Sequence, residues 1–260
     1  MLPAGFAGVE LQLWLWMVAM IRPGAAFVAA PVFGMAQVPL QLRLVVSLAI
    51  GMAGLAARPF ALPVDGIASV AGVAMVTGEV LAGLAIGFAV QIGFSSAMLA
   101  GEVIGNVMGL NFAAMIDPAS GASSTALGQL LSILATFLFL SIGGHLQLAR
   151  VVVESYQALP VGGAWPAEQS IRGLVMFGGI LFSAGLAIAL PVGFVLTLVQ
   201  ILMGLLARSA PAMNLFSVGL PATLLAGLIL IAIAAPTMGE GVVNAIGQGL
   251  AEARSIAGGH

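Results

Sequence analysis

The sequence contains no cysteine and no lysine, and only 6% of its 260 residues are charged. Without cysteine, no disulfide, thiol nucleophile or thiolate metal site can form. Without lysine, a Walker A phosphate loop and a Schiff-base enzyme are excluded. The net charge of −2, from seven arginines and nine acids, is too small and too balanced for a nucleic-acid-binding protein. We therefore expect no metal, no cofactor and no nucleic acid.

Apolar residues dominate the sequence instead, at 61% of the chain with a mean hydropathy of +1.19. A soluble domain, whose surface must meet water, does not carry so many. The pattern predicts an all-α integral membrane protein with about six hydrophobic helices, several of them broken or kinked and arranged as hairpins. Prolines predict a bent connection over residues 22–39. The last helix is predicted to end near Ala235, followed by a short tail.

Two sets of residues, glycines except for one glutamate, recur at four-residue spacing, which places each set on one helical face. Such faces allow another backbone to approach closely, and in lipid this is a main route to helix packing. We predict that both faces pack against other helices or partner subunits. The sets are Glu79, Gly83 and Gly87, and then Gly101, Gly105 and Gly109.

The segment that follows the second set is irregular. Asp117-Pro118 is a typical turn pair, and a small-residue tract runs from Ala119 to Ser124. Irregular backbone at membrane depth is tolerated only where it is buried in protein or lines a water-filled cavity. We expect this segment to lie outside the bilayer or to face an interior.

Glu79 lies within an apolar run and allows two interpretations. An intramembrane carboxylate can belong to a proton or ion relay, and a stand-alone secondary transporter or channel using Glu79 is the alternative function. However, relays usually need several titratable groups, and only Glu102 is comparable. A hydrogen-bonded carboxylate inside a helix interface is favoured.

Ser120 and His145 raise a second alternative, an intramembrane serine protease, in which a histidine activates a serine. Here a proline replaces the first glycine of the expected Gly-x-Ser-Gly turn. Ser123, Ser124 and Thr125 are also natural N-cap residues for the next helix. We expect a protein that is not an enzyme.

Several motifs together carry a resemblance along nearly the whole chain. They are GEVLAGLAIGF (78–88), AGEVIGNVMGLNFAAMIDPASG (100–121), LFLSIGGHLQLARVVVESYQALPVG (138–162) and ALPVGFVL with GLLARSAPAMNLFSVGLP (within 189–221). In this order they resemble the FliR family of flagellar type III export-gate proteins.

The resemblance implies a FliP-like helical part over residues 1–160, with a pore-facing central loop, and a FliQ-like hairpin with a short tail over 161–260. It implies a subunit of an export gate in the bacterial inner membrane, within the flagellar basal body. Unfolded flagellar proteins are secreted through this gate. The implied partners are FliP-, FliQ-, FlhB- and FlhA-type proteins. The implied plug or constriction residues are Met108, Leu110, Phe112, Met115, Asp117 and Pro118.

Overall fold

A computed structural model describes residues 7–111, 124–163, 167–209 and 219–258 of the chain. Within these ranges the regular secondary structure consists of α-helices, and no strand occurs in them. The helices are α1 (Ala7–Ala19), α2 (Ile21–Ala29), α3 (Leu40–Ala57), α4 (Val70–Met108), α5 (Ala126–Ser141), α6 (Gly144–Ala158), α7 (Ala167–Ser209) and α8 (Leu220–Gly258).

Five of these helical segments are long and apolar enough to cross a membrane, counting α1 and α2 together as one span. The helices α5 and α6 are bent by 64° relative to each other and supply a sixth span if they are taken as one. This confirms the prediction of an all-α integral membrane protein with about six helices, some of them broken.

Three helices are longer than a bilayer requires. The helices α4 and α8 have 39 residues each and α7 has 43. At about 1.5 Å per residue these helices measure about 58 to 65 Å, whereas the hydrocarbon core of a bilayer is about 30 Å thick. Each of these helices is therefore about twice as long as a perpendicular span requires.

The break between α1 and α2 falls at Met20, and the chain is helical again from Ile21 to Ala29. The prediction of a bent connection over residues 22–39 is therefore wrong for its first part. Pro23 lies in the first turn of α2, where a backbone N–H has no intrahelical acceptor, so the proline starts a helix here and does not end one.

Gly143 and Pro236 have opposite effects on the helices that contain or flank them. Gly143 has a φ of +67°, a left-handed conformation that glycine adopts without steric cost, and it separates α5 from α6. Pro236 lies inside α8, yet the helix continues through it to Gly258. The last helix thus does not end near Ala235, and the predicted short tail is mostly helical.

The chain divides into two compact units. The first consists of Met1–Ile92, Leu140–Gly178 and Gly247–His260, and the second of Gly93–Phe139 and Gly179–Ile246. Each unit combines segments that are distant in sequence. The predicted FliP-like part over residues 1–160 and FliQ-like hairpin over 161–260 stay a prediction.

Candidate functional site: a buried ion-pair network and the stems of the central segment

The first compact unit contains a buried ion pair between Arg22 of α2 and Glu79 of α4. Arg22 Nε donates to Glu79 Oε2 and Arg22 Nη2 to Glu79 Oε1, each over 2.8 Å. The two residues are only 1% and 2% exposed. The planar guanidinium and the carboxylate therefore meet in the two-bond geometry that is the strongest form of this interaction.

The remaining donors of Arg22 are directed to α6. Nη1 donates to the Ser155 hydroxyl over 3.0 Å, and Nη2 donates to the Leu159 carbonyl oxygen over 2.9 Å. The Tyr156 ring lies 4.3 Å from the Arg22 Cζ atom, a cation–π distance. Tyr156 in turn donates its O–H to the carbonyl oxygen of Ala19, over 2.7 Å, at the end of α1.

This set of side chains, Arg22, Glu79, Ser155 and Tyr156, is here called the ion-pair network. It connects α1, α2, α4 and α6, and its charges are balanced and hydrogen-bonded. A buried charge is tolerated only when it is paired in this way. The geometry agrees with the interpretation of Glu79 as a hydrogen-bonded interface carboxylate. Arg22 was not predicted as the partner of Glu79, although an arginine in an apolar segment was an available signal.

A cavity of about 390 Å³ lies beside the network. Small residues of α4 form one wall, with Ala71, Ala74 and Gly78 among them, and the segment from Leu159 to Gly163 contributes to another. Arg22 and Glu79 also line this cavity, but both are already engaged with each other. The cavity therefore does not present a free titratable group.

The first predicted glycine face packs inside the same unit. A Cβ atom at Gly83 would lie 2.3 Å from the Arg22 carbonyl oxygen, and one at Gly87 would lie 2.1 Å from the Ala26 carbonyl oxygen. These two glycines therefore allow α2 to approach α4 closely enough for the ion pair to form. A role of this face toward a partner subunit stays a prediction.

The second glycine face holds together the two ends of the central segment, as we call residues 109–124 between α4 and α5. A Cβ atom at Gly101 would lie 2.6 Å from the Gly128 Cα atom, and one at Gly105 would lie 2.8 Å from the Thr125 hydroxyl oxygen. The last turns of α4 thus lie against the start of α5. We call the contact formed by Gly101, Glu102, Gly105, Thr125 and Gly128 the stem contact.

Hydrogen bonds close the stem contact. The Thr125 hydroxyl accepts from the Gly128 N–H over 3.0 Å, which makes Thr125 the N-cap of α5, one of the candidates predicted for that position. The Thr125 N–H donates to Glu102 Oε1 over 2.8 Å. This is the bonding pattern of a capping box, except that the glutamate comes from another helix.

Gly109 does not share the helical face that its spacing predicts, because it lies past the end of α4 with a φ of +80°. Its N–H donates to the Asn106 carbonyl oxygen, and the Leu110 N–H donates to that of Gly105. These two bonds form a Schellman motif, in which a left-handed glycine ends a helix. Gly109 therefore ends α4 and starts the central segment.

The predicted constriction residues are only partly described. Met108 is 2% exposed, and its side chain lies against Gly227 of α8, so it is covered within the chain. Leu110 is half-buried. The other four, Phe112, Met115, Asp117 and Pro118, lie outside the described residues, as does Ser120 of the protease alternative. His145 is half-buried, and its Nδ1 has no hydrogen-bond partner within the described ranges.

The fold and these two sites define a multi-pass helical membrane protein whose buried charges join helices and whose central segment starts from a fixed pair of helix ends. Comparison with known proteins gives the family. The family described as bacterial export proteins, family 1, matches residues 13–249. The chain belongs to this family, the FliR family of flagellar and type III export membrane proteins.

Individual relatives agree with this assignment. The flagellar biosynthetic protein FliR of Escherichia coli strain K12 is 33% identical over 87% of this chain and 85% of its own length. FliR of Caulobacter vibrioides is 31% identical, over 85% and 88%. The surface presentation of antigens protein SpaR of Shigella flexneri is 30% identical over 62% of each chain.

Proposed function

We propose that this protein is a non-enzymatic subunit of the flagellar type III export gate in the bacterial inner membrane. In this role it joins FliP-type and FliQ-type subunits, lies next to FlhB- and FlhA-type proteins, and helps to form the pore for unfolded flagellar proteins. Its central segment narrows that pore. The proposal rests on the family membership together with two features of the structure.

The first feature is the amount of apolar surface that the chain leaves uncovered. Only 11% of the most apolar window of α8 is buried. Leu225, Leu228, Ile229 and Ile233 of that helix are each 61% to 72% exposed. Surfaces of this kind are covered either by lipid or by other subunits. A subunit of a larger assembly accounts for them.

The second feature is the stem contact, and it is the single observation that carries the pore role. Both ends of the central segment are fixed by close backbone approach and by the bond between Glu102 and Thr125. A segment that starts and ends at one fixed point can be presented to a pore at a defined position. Flexible methionine and phenylalanine side chains in it suit a seal that yields to substrate and closes again.

The alternative, a transporter that uses Glu79, is not favoured. A relay carboxylate must exchange its proton or ion, whereas both oxygens of Glu79 are bonded to Arg22. Protonation of Glu79 would leave the Arg22 charge buried and unpaired, which is strongly unfavourable. The pair therefore suits a structural role.

Native mass spectrometry tests the subunit role. The chain is expressed alone, and then with FliP-type and FliQ-type partners, and extracted in a mild detergent. We expect a defined complex that contains this chain only in the co-expressed sample. A monomer that ignores both partners would contradict the proposal.

A deletion of residues 110–118 tests the pore role. We expect the assembled gate that carries the deletion to leak small solutes across the membrane, measured as ion conductance or as uptake of a small impermeant dye. The matched control replaces the same nine residues with glycine and serine, which keeps the loop length but removes the apolar side chains. An unchanged leak in the deletion variant, with assembly intact, would refute the seal.

A further inference from the structure

The second compact unit contains a groove to which the proposed gate function assigns no role. It lies between α5 and α8 and has a volume of about 640 Å³. Leu134 and Leu138 line it from α5, and Pro236, Glu240 and Val243 are among its residues from α8. We call it the Glu240 groove, because this carboxylate is the one ionisable group in an otherwise largely apolar lining.

Glu240 is exposed on a helix that is long and apolar enough to cross a membrane. Among the described residues the only ion pair is the one between Arg22 and Glu79, so nothing in them neutralises Glu240. Carboxylates on membrane helices rarely face lipid, and they usually pair with another charged group or line a water-filled space. Glu240 is therefore available to pair with a charged group that the described residues do not provide.

The shape and chemistry of the groove indicate what kind of partner would carry that charged group. Ile229, Ile233, Pro236 and Glu240 follow one another at steps of four, three and four residues, which places them on one face of α8. The two isoleucines are 61% and 72% exposed. Pro236 has no N–H, so the Ala232 carbonyl oxygen of this turn lacks its usual helical donor. The face thus offers apolar contact along most of its length and the Glu240 carboxylate at one end.

We propose that the Glu240 groove binds an apolar helix of another subunit of the export complex, and that this helix places a Lys or Arg opposite Glu240. The apolar stripe supplies the contact area, and the charge pair fixes register and partner choice, as charged groups do at interfaces. The proposal rests on the proposed function, since it needs a partner subunit.

Site-specific photo-crosslinking in the assembled complex tests this. A benzophenone amino acid replaces Val243, one turn from Glu240, and the complex is illuminated in membranes that contain all export subunits. We expect an adduct with one other export subunit, mapped to an apolar helix that contains a Lys or Arg. Glu240→Arg should reduce the adduct yield by about tenfold or more, because like charges then face each other. Changing the mapped cation to Glu should restore it.

The controls separate charge from folding. Glu240→Asp keeps the charge and should keep most of the adduct. If Glu240→Arg does not fold, Glu240→Gln takes its place: it should lower the yield, and neutralising the mapped cation in the same complex should lower it no further. An additive loss would overturn the pair. An adduct only with lipid, only with a second copy of this chain, or unaffected by Glu240→Arg would also overturn the proposal.

Native mass spectrometry of the same samples separates the two proposals. If the complex assembles but the adduct yield does not depend on the charge at position 240, the groove proposal fails and the gate function stands. If the wild-type chain forms no complex with export subunits, both fail.

Discussion

Arg22 and Glu79 are 57 residues apart in the sequence, and they are joined by two hydrogen bonds of 2.8 Å each in the interior of the protein. Arg22 also reaches α6 through Ser155 and Leu159. The other contacts between these helices are apolar and glycine contacts, which have little directional preference. Directional hydrogen bonds such as these therefore specify one register of the helices. We infer that the pair serves the unique arrangement of the helices rather than proton transfer.

Removing one member of the pair should destabilise the protein more than replacing both. Arg22→Met or Glu79→Leu alone leaves an unpaired buried charge, which costs about 3–5 kcal/mol. The double variant removes both charges and should lose much less than the sum. The measurement is the free energy of unfolding in mixed detergent micelles, taken as a double-mutant cycle.

Glu154→Gln is the matched control for this cycle, because Glu154 lies exposed on α6 near the network. It should leave the stability within about 0.5 kcal/mol of the wild type. If the losses of the two single variants simply add in the double variant, the side chains do not act as a pair.

Tyr156 contributes through its hydroxyl and through its ring, and these contributions can be separated. Tyr156→Phe keeps the ring over Arg22 but leaves the Ala19 carbonyl oxygen without this donor. We expect a loss of about 1–2 kcal/mol, typical of a buried hydrogen bond. Tyr156→Leu also removes the cation–π contact and should cost more. The measurement is thermal unfolding of both variants in the same detergent. Equal stability of the Phe and Leu variants would show that the ring contact to Arg22 adds nothing to the stability.

The sequence predicts the composition of the fold better than its contacts. Hydropathy and proline positions suffice for an all-α membrane protein with about six segments, because those quantities are local. The partner of Glu79 was not predictable in this way, since Arg22 lies in another helix and no spacing rule links them. Pro23 misled for a related reason: only the structure shows that it falls in the first turn of a helix, where proline is tolerated.

The glycine faces illustrate the same limit. Spacing places Gly101, Gly105 and Gly109 together, and the first two do lie in the stem contact. Gly109 has the same spacing but adopts a left-handed conformation, because the helix ends one residue before it. Whether a glycine packs or ends a helix depends on the neighbouring chain, which periodicity does not contain.

Gly87 should be the least replaceable glycine of α4. A Cβ atom there would lie 2.1 Å from the Ala26 carbonyl oxygen, which belongs to a backbone that cannot move aside independently. We expect Gly87→Ala to separate α2 from α4, weaken the ion pair and lower the stability by about 2 kcal/mol or more.

Gly78→Ala is the control on the same helix: nothing lies within 4 Å of its Cβ position. Alanine there should be neutral or stabilising by up to about 1 kcal/mol. Similar melting temperatures of the two variants would contradict the proposed close approach.

The stem contact should depend on a glutamate that caps a helix from outside it. Glu102 Oε1 accepts from the Thr125 N–H, and a Cβ atom at Gly128 would lie 2.2 Å from that same oxygen. Glu102→Ala or Gly128→Ala should therefore free the first turn of α5, at a cost of about 1 kcal/mol for the lost cap. Hydrogen exchange of the peptide over residues 124–130 should accelerate by about fivefold in either variant, because a loss of about 1 kcal/mol lowers the free energy of local opening. Gly193→Ala, whose Cβ position meets nothing within 4 Å, should leave this peptide unchanged. If Glu102→Ala does not change the exchange rate at residues 124–130, this bond does not fix the ends of the central segment. The stem contact then no longer supports a pore-facing loop.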